Sequence, residues 1–214
     1  MIKVLAINGS PRKNWNTATM LDSALEGAMS AGAEGRRIDL YGLTYTGCVS
    51  CFECKRLEGR NFGKCAVKDE LQPILEEASH ADVLLLGSPI YFNDVTGMMR
   101  SFLERLYFPV LTYTKAHTLI REKIRQVGWV FTTNAPGDFY KDFYSQLCAG
   151  SERLLGPSMY VDASETLQFT DYSLYAADMF DVPARRDRRE NVFPQDRKKA
   201  EDMGRKLAEA VKRI

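Results

Sequence analysis

Apolar and polar positions alternate along this chain in a way that predicts strands and helices in turn. A run from Ile2 to Ile7 reads as a buried parallel strand, and apolar residues then recur at helical spacing at Ala18, Leu21, Ala24, Leu25 and Ala28. Arg36 to Leu40 alternates as a short strand near a sheet edge, whereas Tyr45 to Cys65 has no clear period. Leu71, Ile74, Leu75 and Ala78 predict a helix over 69–81, and the continuous run Asp82 to Gly87 a central strand. After the loop Ser88 to Gly97, Met98, Met99, Phe102, Leu103, Leu106 and Tyr107 cover more than one face of a helix over 97–108, which predicts packing on the sheet and on another subunit. A strand over 124–133, a helix over 138–155, a last strand from Met159 extending through Leu167 and Phe169, and a final helix over 195–213 complete the series. Residues 171–192 read as an irregular excursion. Strands alternating with helices across long connections predict an α/β fold with a parallel sheet of five strands.

Composition narrows the functional classes. The 214 residues, 45% of them hydrophobic, suit one domain over 1–214 with a sizeable core. Lys plus Arg total 29 against 28 Asp plus Glu, so a net charge of +1 gives no reason to expect nucleic acid or a membrane as partner. The N-terminus enters a strand directly without a signal-peptide pattern, which predicts a cytoplasmic protein. In that compartment five cysteines point to ligands, redox groups or buried thiols rather than disulfides.

The chemistry gathers in three loops at the carboxyl ends of the strands, where an open α/β sheet binds its ligands. In the first, Gly9 to Thr17, a strand ends in small polar residues that open onto a helix N-terminus, and its unpaired N–H groups suit an anion. Ser10, Asn14, Asn16 and Thr17, with Arg12 and Lys13 alongside, fit a monophosphate cup, although the same residue types also cap ordinary helices. In the second loop, Pro89-Ile90-Tyr91-Phe92 is a rigid aromatic wall suited to a flat heteroaromatic ring. The third is Thr132 to Gly137. A phosphate cup beside a planar-ring wall describes a mononucleotide-like cofactor.

Gly9-Ser10-Pro11-Arg12-Lys13 with Asn16-Thr17, Gly87 to Phe92, Val95-Thr96-Gly97 and Phe102-Leu103-Glu104-Arg105 resemble the flavodoxin-like NAD(P)H-dependent FMN reductases, and within them the iron-sulfur flavoproteins. The resemblance runs from Met1 to about Pro109. It implies a flavodoxin-like three-layer sandwich with strand order 2-1-3-4-5, and FMN held at its phosphate by Ser10, Arg12, Asn16, Thr17 and Ala18. Pro89, Ile90, Tyr91, Phe92 and Asn93 are expected along the isoalloxazine edge, with Thr133, Asn134 and Gly137 on the third side. NAD(P)H is then the co-substrate, and a flavin, quinone or similar small acceptor, or an iron-sulfur centre, takes the electrons. No catalytic side chain is expected, because the flavin carries the reaction; backbone N–H groups near Asn93 are placed to stabilise negative charge on the ring. The alternative is an electron carrier between proteins. A homodimer or homotetramer is expected. The chain departs from the family at Trp15, where relatives usually have Gly.

Cys48, Cys51 and Cys54, followed after ten residues by Cys65, have the thiolate spacing that wraps an iron-sulfur cube, and in the resembling group such a motif holds a [4Fe-4S] cluster. Zinc or free thiols remain open at this stage, since the insert Lys55 to Lys64 is longer than in that group. Cys148, among apolar helix positions, reads as core, and His80 as a helix C-terminal residue. The run Arg185-Arg186-Asp187-Arg188-Arg189-Glu190, interrupted by acids, reads as a solvated face.

Overall fold

A computed structural model of the chain describes residues 1–121 and 123–213; Glu122 and Ile214 lie outside them. β1 (Ile2–Asn8), β2 (Ala33–Asp39), β3 (Val83–Tyr91), β5 (Gln126–Thr133) and β6 (Ser158–Ser164) form a parallel sheet in the order β2-β1-β3-β5-β6. The two-residue β4 (Asp94–Val95) folds back antiparallel on the end of β3. The five parallel strands thus keep the expected order, with β4 as a peripheral addition.

Strand periodicity explains why both faces of this sheet are covered. Leu5, Ile7, Leu84, Leu86, Val127, Trp129 and Phe131 point to one side, onto α2 (Gln72–His80), α3 (Gly97–Tyr107) and α4 (Lys141–Leu154). The alternate residues Val4, Ala6, Val83, Leu85 and Val130 meet α1 (Asn16–Ser30) and α6 (Phe193–Val211) on the other. Six consecutive residues of β3 are buried, as expected of a central strand between two helix layers. Cys148 joins the core cluster. No helix among the described residues is long and apolar enough to cross a membrane.

Four departures from the sequence pattern have local causes. β2 begins at Ala33, three residues earlier than expected: Ala33-Glu34-Gly35 carry no alternation and are strand only because they pair with Ile2-Lys3-Val4. β3 runs on to Tyr91, so Pro89, Ile90 and Tyr91 belong to a strand end rather than to a loop. β6 stops at Ser164, because Glu165 takes a left-handed conformation (φ 53°) that turns the chain off the sheet before Leu167 and Phe169. Within the expected irregular excursion, Asp181 Oδ1 caps α5 (Val182–Asp187) by accepting from Ala184 N–H (3.0 Å), and a π-helical turn over Arg188–Val192 joins it to α6.

Helix α3 also differs in its partners. Its second apolar face is covered by the chain's own cysteine segment: Tyr45 Oη donates to Met98 O (2.7 Å), and fully buried Arg105 reaches Thr46 O (3.1 Å) and Val67 O (3.1 Å).

Candidate functional site: three loops at one sheet edge and a cysteine recess

The loop between β1 and α1 is drawn tight by its own polar groups. Buried Asn8 accepts from Ser10 N–H (3.1 Å) and donates to Asp39 (2.8 Å), and Ser10 Oγ accepts from Arg12 N–H (3.1 Å). No side chain caps α1. Asn16 and Thr17 lie inside its first turn, and their side chains are used elsewhere, Thr17 sharing a hydrogen bond with Thr132 (2.7 Å). The first helical bond runs from Thr19 N–H to Trp15 O (2.9 Å), so the N–H groups of Asn16, Thr17 and Ala18 meet no protein acceptor among the described residues. The helix-cap alternative therefore fails here, and three backbone donors with the positive end of the helix macrodipole remain directed at one point.

The second loop is a two-residue hairpin. Tyr91 pairs with Asp94, and Phe92 and Asn93 between them both have positive φ (51° and 64°), the geometry of a type I′ turn. Phe92 is 100% exposed. Thr96 fastens this loop to the first: its hydroxyl donates to Gly9 O (2.6 Å) and accepts from Met99 N–H at the start of α3 (3.2 Å), while Gly9 N–H bonds Gly87 O (2.8 Å). Burial raises the pKa of the Tyr91 phenol, opposed by the nearby charge of Arg12.

The third loop closes on both. Tyr140 Oη donates to Asn93 Oδ1 (3.0 Å), Thr133 Oγ1 accepts from Ala135 N–H (3.1 Å), and Gly137 stands exposed near Ser164. Every residue expected to bind cofactor, from Ser10, Arg12, Asn16, Thr17 and Ala18 through Pro89 to Asn93 and Thr133, Asn134 and Gly137, lies on this carboxyl edge.

A further segment, which the pattern of the sequence did not mark, comes to the same edge. Leu167 O accepts from Trp15 Nε1 (3.2 Å) and Asn16 Nδ2 (3.0 Å), and Gln168 takes Arg12 Nη1 on its carbonyl (2.6 Å) and Asn134 Nδ2 on its side chain (2.9 Å). Three arginines of the 185–190 run are anchored here as well, which corrects the reading of a solvated face for them, while Arg186, Asp187 and Glu190 are exposed as that reading expects. Arg185 Nη2 donates to Asn134 O (3.2 Å), Arg188 binds Ser164 and Asp196, and Arg189 Nη1 donates to Asn16 Oδ1 (2.7 Å). Positions 185 and 189 share one helical face, the one signal in the sequence that could have found them. Trp15 serves as a platform for cations: the Arg12 guanidinium lies 4.9 Å and that of Arg189 5.9 Å from its ring centroid.

The four cysteines of the motif form a separate centre. Cys48, Cys51, Cys54 and Cys65 line one small recess against Glu104 and Arg105 of α3. The long insert does not carry Cys65 away, because stacked turns (Gly59 N–H to Arg56 O, Phe62 N–H to Gly59 O, Gly63 N–H to Cys54 O, each 2.9 to 3.0 Å) fold it back beside Cys54. Arg105 donates through Nε to Cys65 Sγ (3.3 Å) and through both Nη atoms to Asp69, while Glu104 Oε2 accepts from Cys48 N–H (3.0 Å). Burial raises the pKa of the Cys54 thiol and lowers that of the Lys55 amine, which is turned toward Phe108 O and Leu111 O. Among the described residues no three Cys, His, Asp or Glu are grouped closely enough for one metal ion. The four thiols share this recess with the Arg105 guanidinium, and the Lys55 amine lies next to Cys54 in the chain. His80 ends α2, its Nδ1 within 2.8 Å of Glu76 O, as its position predicts.

An iron-sulfur flavoprotein of Methanocaldococcus jannaschii is 34% identical over 104 residues, which are 49% of this chain and 51% of that protein. The chain spans about half the length of the curated relatives it matches. Among solved structures, an NAD(P)H:quinone oxidoreductase from Methanothermobacter marburgensis superposes with a TM-score of 0.67 over 96% of this chain and 98% of its own, at 15% identity. An archaeal flavodoxin gives 0.54 over 99% of each, also at 15% identity, which makes the fold flavodoxin-like. The sequence profile of the NADPH-dependent FMN reductases matches residues 2–124, a span that includes the first two loops and all four cysteines of the motif, and the chain belongs to that family.

Proposed function

We propose that this chain binds FMN across the three loops, reduces it with NAD(P)H, and passes the electrons to a small acceptor such as a flavin or quinone, or to an iron-sulfur centre. The observation that carries this reading is the uncapped N-terminus of α1, where the N–H groups of Asn16, Thr17 and Ala18 lie on the same edge as the Tyr91–Asp94 hairpin. Bound FMN supplies the hydride and electron chemistry. The chain's part is to hold and orient it: Ser10, Arg12 and the first turn of α1 take the phosphate, Pro89 to Asn93 border the ring, and Thr133, Asn134 and Gly137 close the third side. Backbone N–H groups near Asn93 would stabilise negative charge on the ring held there.

Cys48, Cys51, Cys54 and Cys65 are the residues to hold a [4Fe-4S] cluster, with Arg105 and Lys55 offsetting its charge; helix α3 starts beside the flavin loops and ends at this recess. Purified protein is expected to be yellow or to become so with FMN, and stopped-flow mixing with NADH and NADPH to bleach the flavin band within seconds; a protein that stays colourless overturns the reading. Iron, sulfide and zinc analysis after anaerobic purification tests the cysteines.

The wholly exposed Phe92 favours a second reading, an electron carrier that docks a protein partner at the hairpin tip. Failure of both nicotinamides to bleach bound FMN selects it. A homodimer or homotetramer is part of the proposal; a monomeric mass by light scattering removes it.

A further inference from the structure

Three arginines of the C-terminal segment reach the carboxyl edge, but they are not equivalent. Arg188 is paired with Asp196 (3.1 Å), and Arg185 lies 4.0 Å from Glu165. Arg189 has no carboxylate partner among the described residues. It is held instead by aromatic faces, 4.2 Å from the Phe193 centroid and 5.9 Å from that of Trp15, and by its hydrogen bond to Asn16 Oδ1 (2.7 Å). Burial, and after it the charge of Arg197, lowers its pKa, as expected of a cation without a counter-charge. A partly desolvated guanidinium is costly unless an anion comes to it. The anion-binding end of α1 begins at the residue Arg189 touches.

A second observation on the same helical face also calls for an acceptor. Arg185 Nη1 is buried and has no hydrogen-bond partner, although Nη2 of the same group bonds Asn134 O. The segment carrying both arginines lies beyond residues 2–124, the part the family profile matches.

We propose that Arg189 supplies the counter-charge for the phosphate at the N-terminus of α1, with Trp15 as the platform that holds it and Arg12 in place, so that the site selects a phosphorylated flavin over the unphosphorylated one. This rests on the FMN reading and adds a specificity residue to it. Phosphate bound there completes the coordination of Arg189, while Phe193 and Trp15 fix the direction of approach. Arg189 then discriminates the phosphate from the free ribityl hydroxyl of riboflavin by charge.

The test is a pair of fluorescence titrations, FMN and riboflavin, on the wild type, Arg189→Met and Arg189→Lys. Arg189→Met keeps an unbranched stem over Phe193 and removes the charge. Its FMN affinity is expected to fall about 10- to 100-fold with riboflavin affinity unchanged, and Arg189→Lys to recover part of the loss. Equal loss for both flavins, or no loss for FMN, overturns the proposal. Should Arg189→Met fail to fold, the FMN-to-riboflavin ratio of Arg189→Lys decides: a ratio lowered from the wild type supports the proposal, and an unchanged one overturns it. If the wild type binds neither flavin, the FMN reading itself falls, and melting with inorganic phosphate then judges Arg189 alone: stabilisation of the wild type but not of the variants supports it as the anion-holding group, and equal shifts reject it.

Discussion

At the scale of single residues, the unusual positions are those that hold a site together. Phe92 takes a left-handed conformation that costs a β-carbon-bearing residue about 1–2 kcal/mol, and its ring is wholly exposed, so no contact within the chain repays that cost. Phe92→Asn is therefore expected to raise stability by about 1 kcal/mol in a urea titration while slowing electron transfer to the acceptor. Arg105 is the converse case. All its N–H groups are spent on Asp69, Thr46, Val67 and Cys65, so removing Asp69 leaves a buried charge uncompensated. Asp69→Ala is expected to cost about 3–5 kcal/mol, read as a fall in denaturation midpoint. Burial works to raise the pKa of Asp69, and its hydrogen bonds to Arg105 outweigh that and hold it below the ordinary value. A depressed carboxylate stabilises the fold above its unfolded pKa, near 4, and this share is lost as pH falls through the folded value. The acid limb of a pH–stability profile should accordingly flatten in Asp69→Asn. Phe102-Leu103-Glu104-Arg105 was legible as a motif, but no pattern in the sequence said that Arg105 ties both ends of the cysteine segment together while Glu104 holds Cys48.

At the scale of elements, periodicity located every parallel strand and every long helix, because alternation and helical spacing follow directly from which face is buried. It missed the start of β2 and the whole of α5, where burial does not alternate: Glu34 and Gly35 are exposed on an edge strand, and α5 buries none of its residues fully. It also placed Leu167 and Phe169 in a strand, since apolar residues after β6 look the same whether or not Glu165 turns the chain away. Close packing of elements is equally invisible in a composition count. Helices α1 and α6 touch backbone to backbone at Gly27 and Gly204, where an added Cβ would lie 1.9 Å from Glu201 O and 1.8 Å from Ala24 O. Gly204→Ala is therefore expected to cost at least about 1–3 kcal/mol, measured by thermal unfolding, against the small gain that Ala brings to an ordinary helix position.

At the scale of the whole molecule, three phenols, Tyr45, Tyr107 and Tyr144, belong to or pack against the core on the α2–α4 side of the sheet, and they make alkaline stability a property of the fold. Burial pushes the Tyr107 pKa from 10.0 up to about 12 and raises Tyr45 and Tyr144 as well. A phenol that ionises at 10 when unfolded and near 12 when folded releases its proton earlier in the unfolded state, so stability falls as pH rises across that window. Each such phenol removes about 1.4 kcal/mol per pH unit there, and chemical denaturation between pH 9 and 11 should show the loss, reduced in Tyr107→Phe. The sequence by itself determined the alternation of strands and helices in a parallel α/β fold and the polar and aromatic residues that follow β1 and end β3, because strand and helix periods and short-range loop chemistry are local properties of a chain. Only the tertiary structure decided that α1 is left uncapped, that ten residues of insert fold Cys65 back beside Cys54, and that Arg189 reaches Asn16 from 173 positions away. Those outcomes depend on which segments the sheet brings to its carboxyl edge, and contact across such a separation leaves no local period to read.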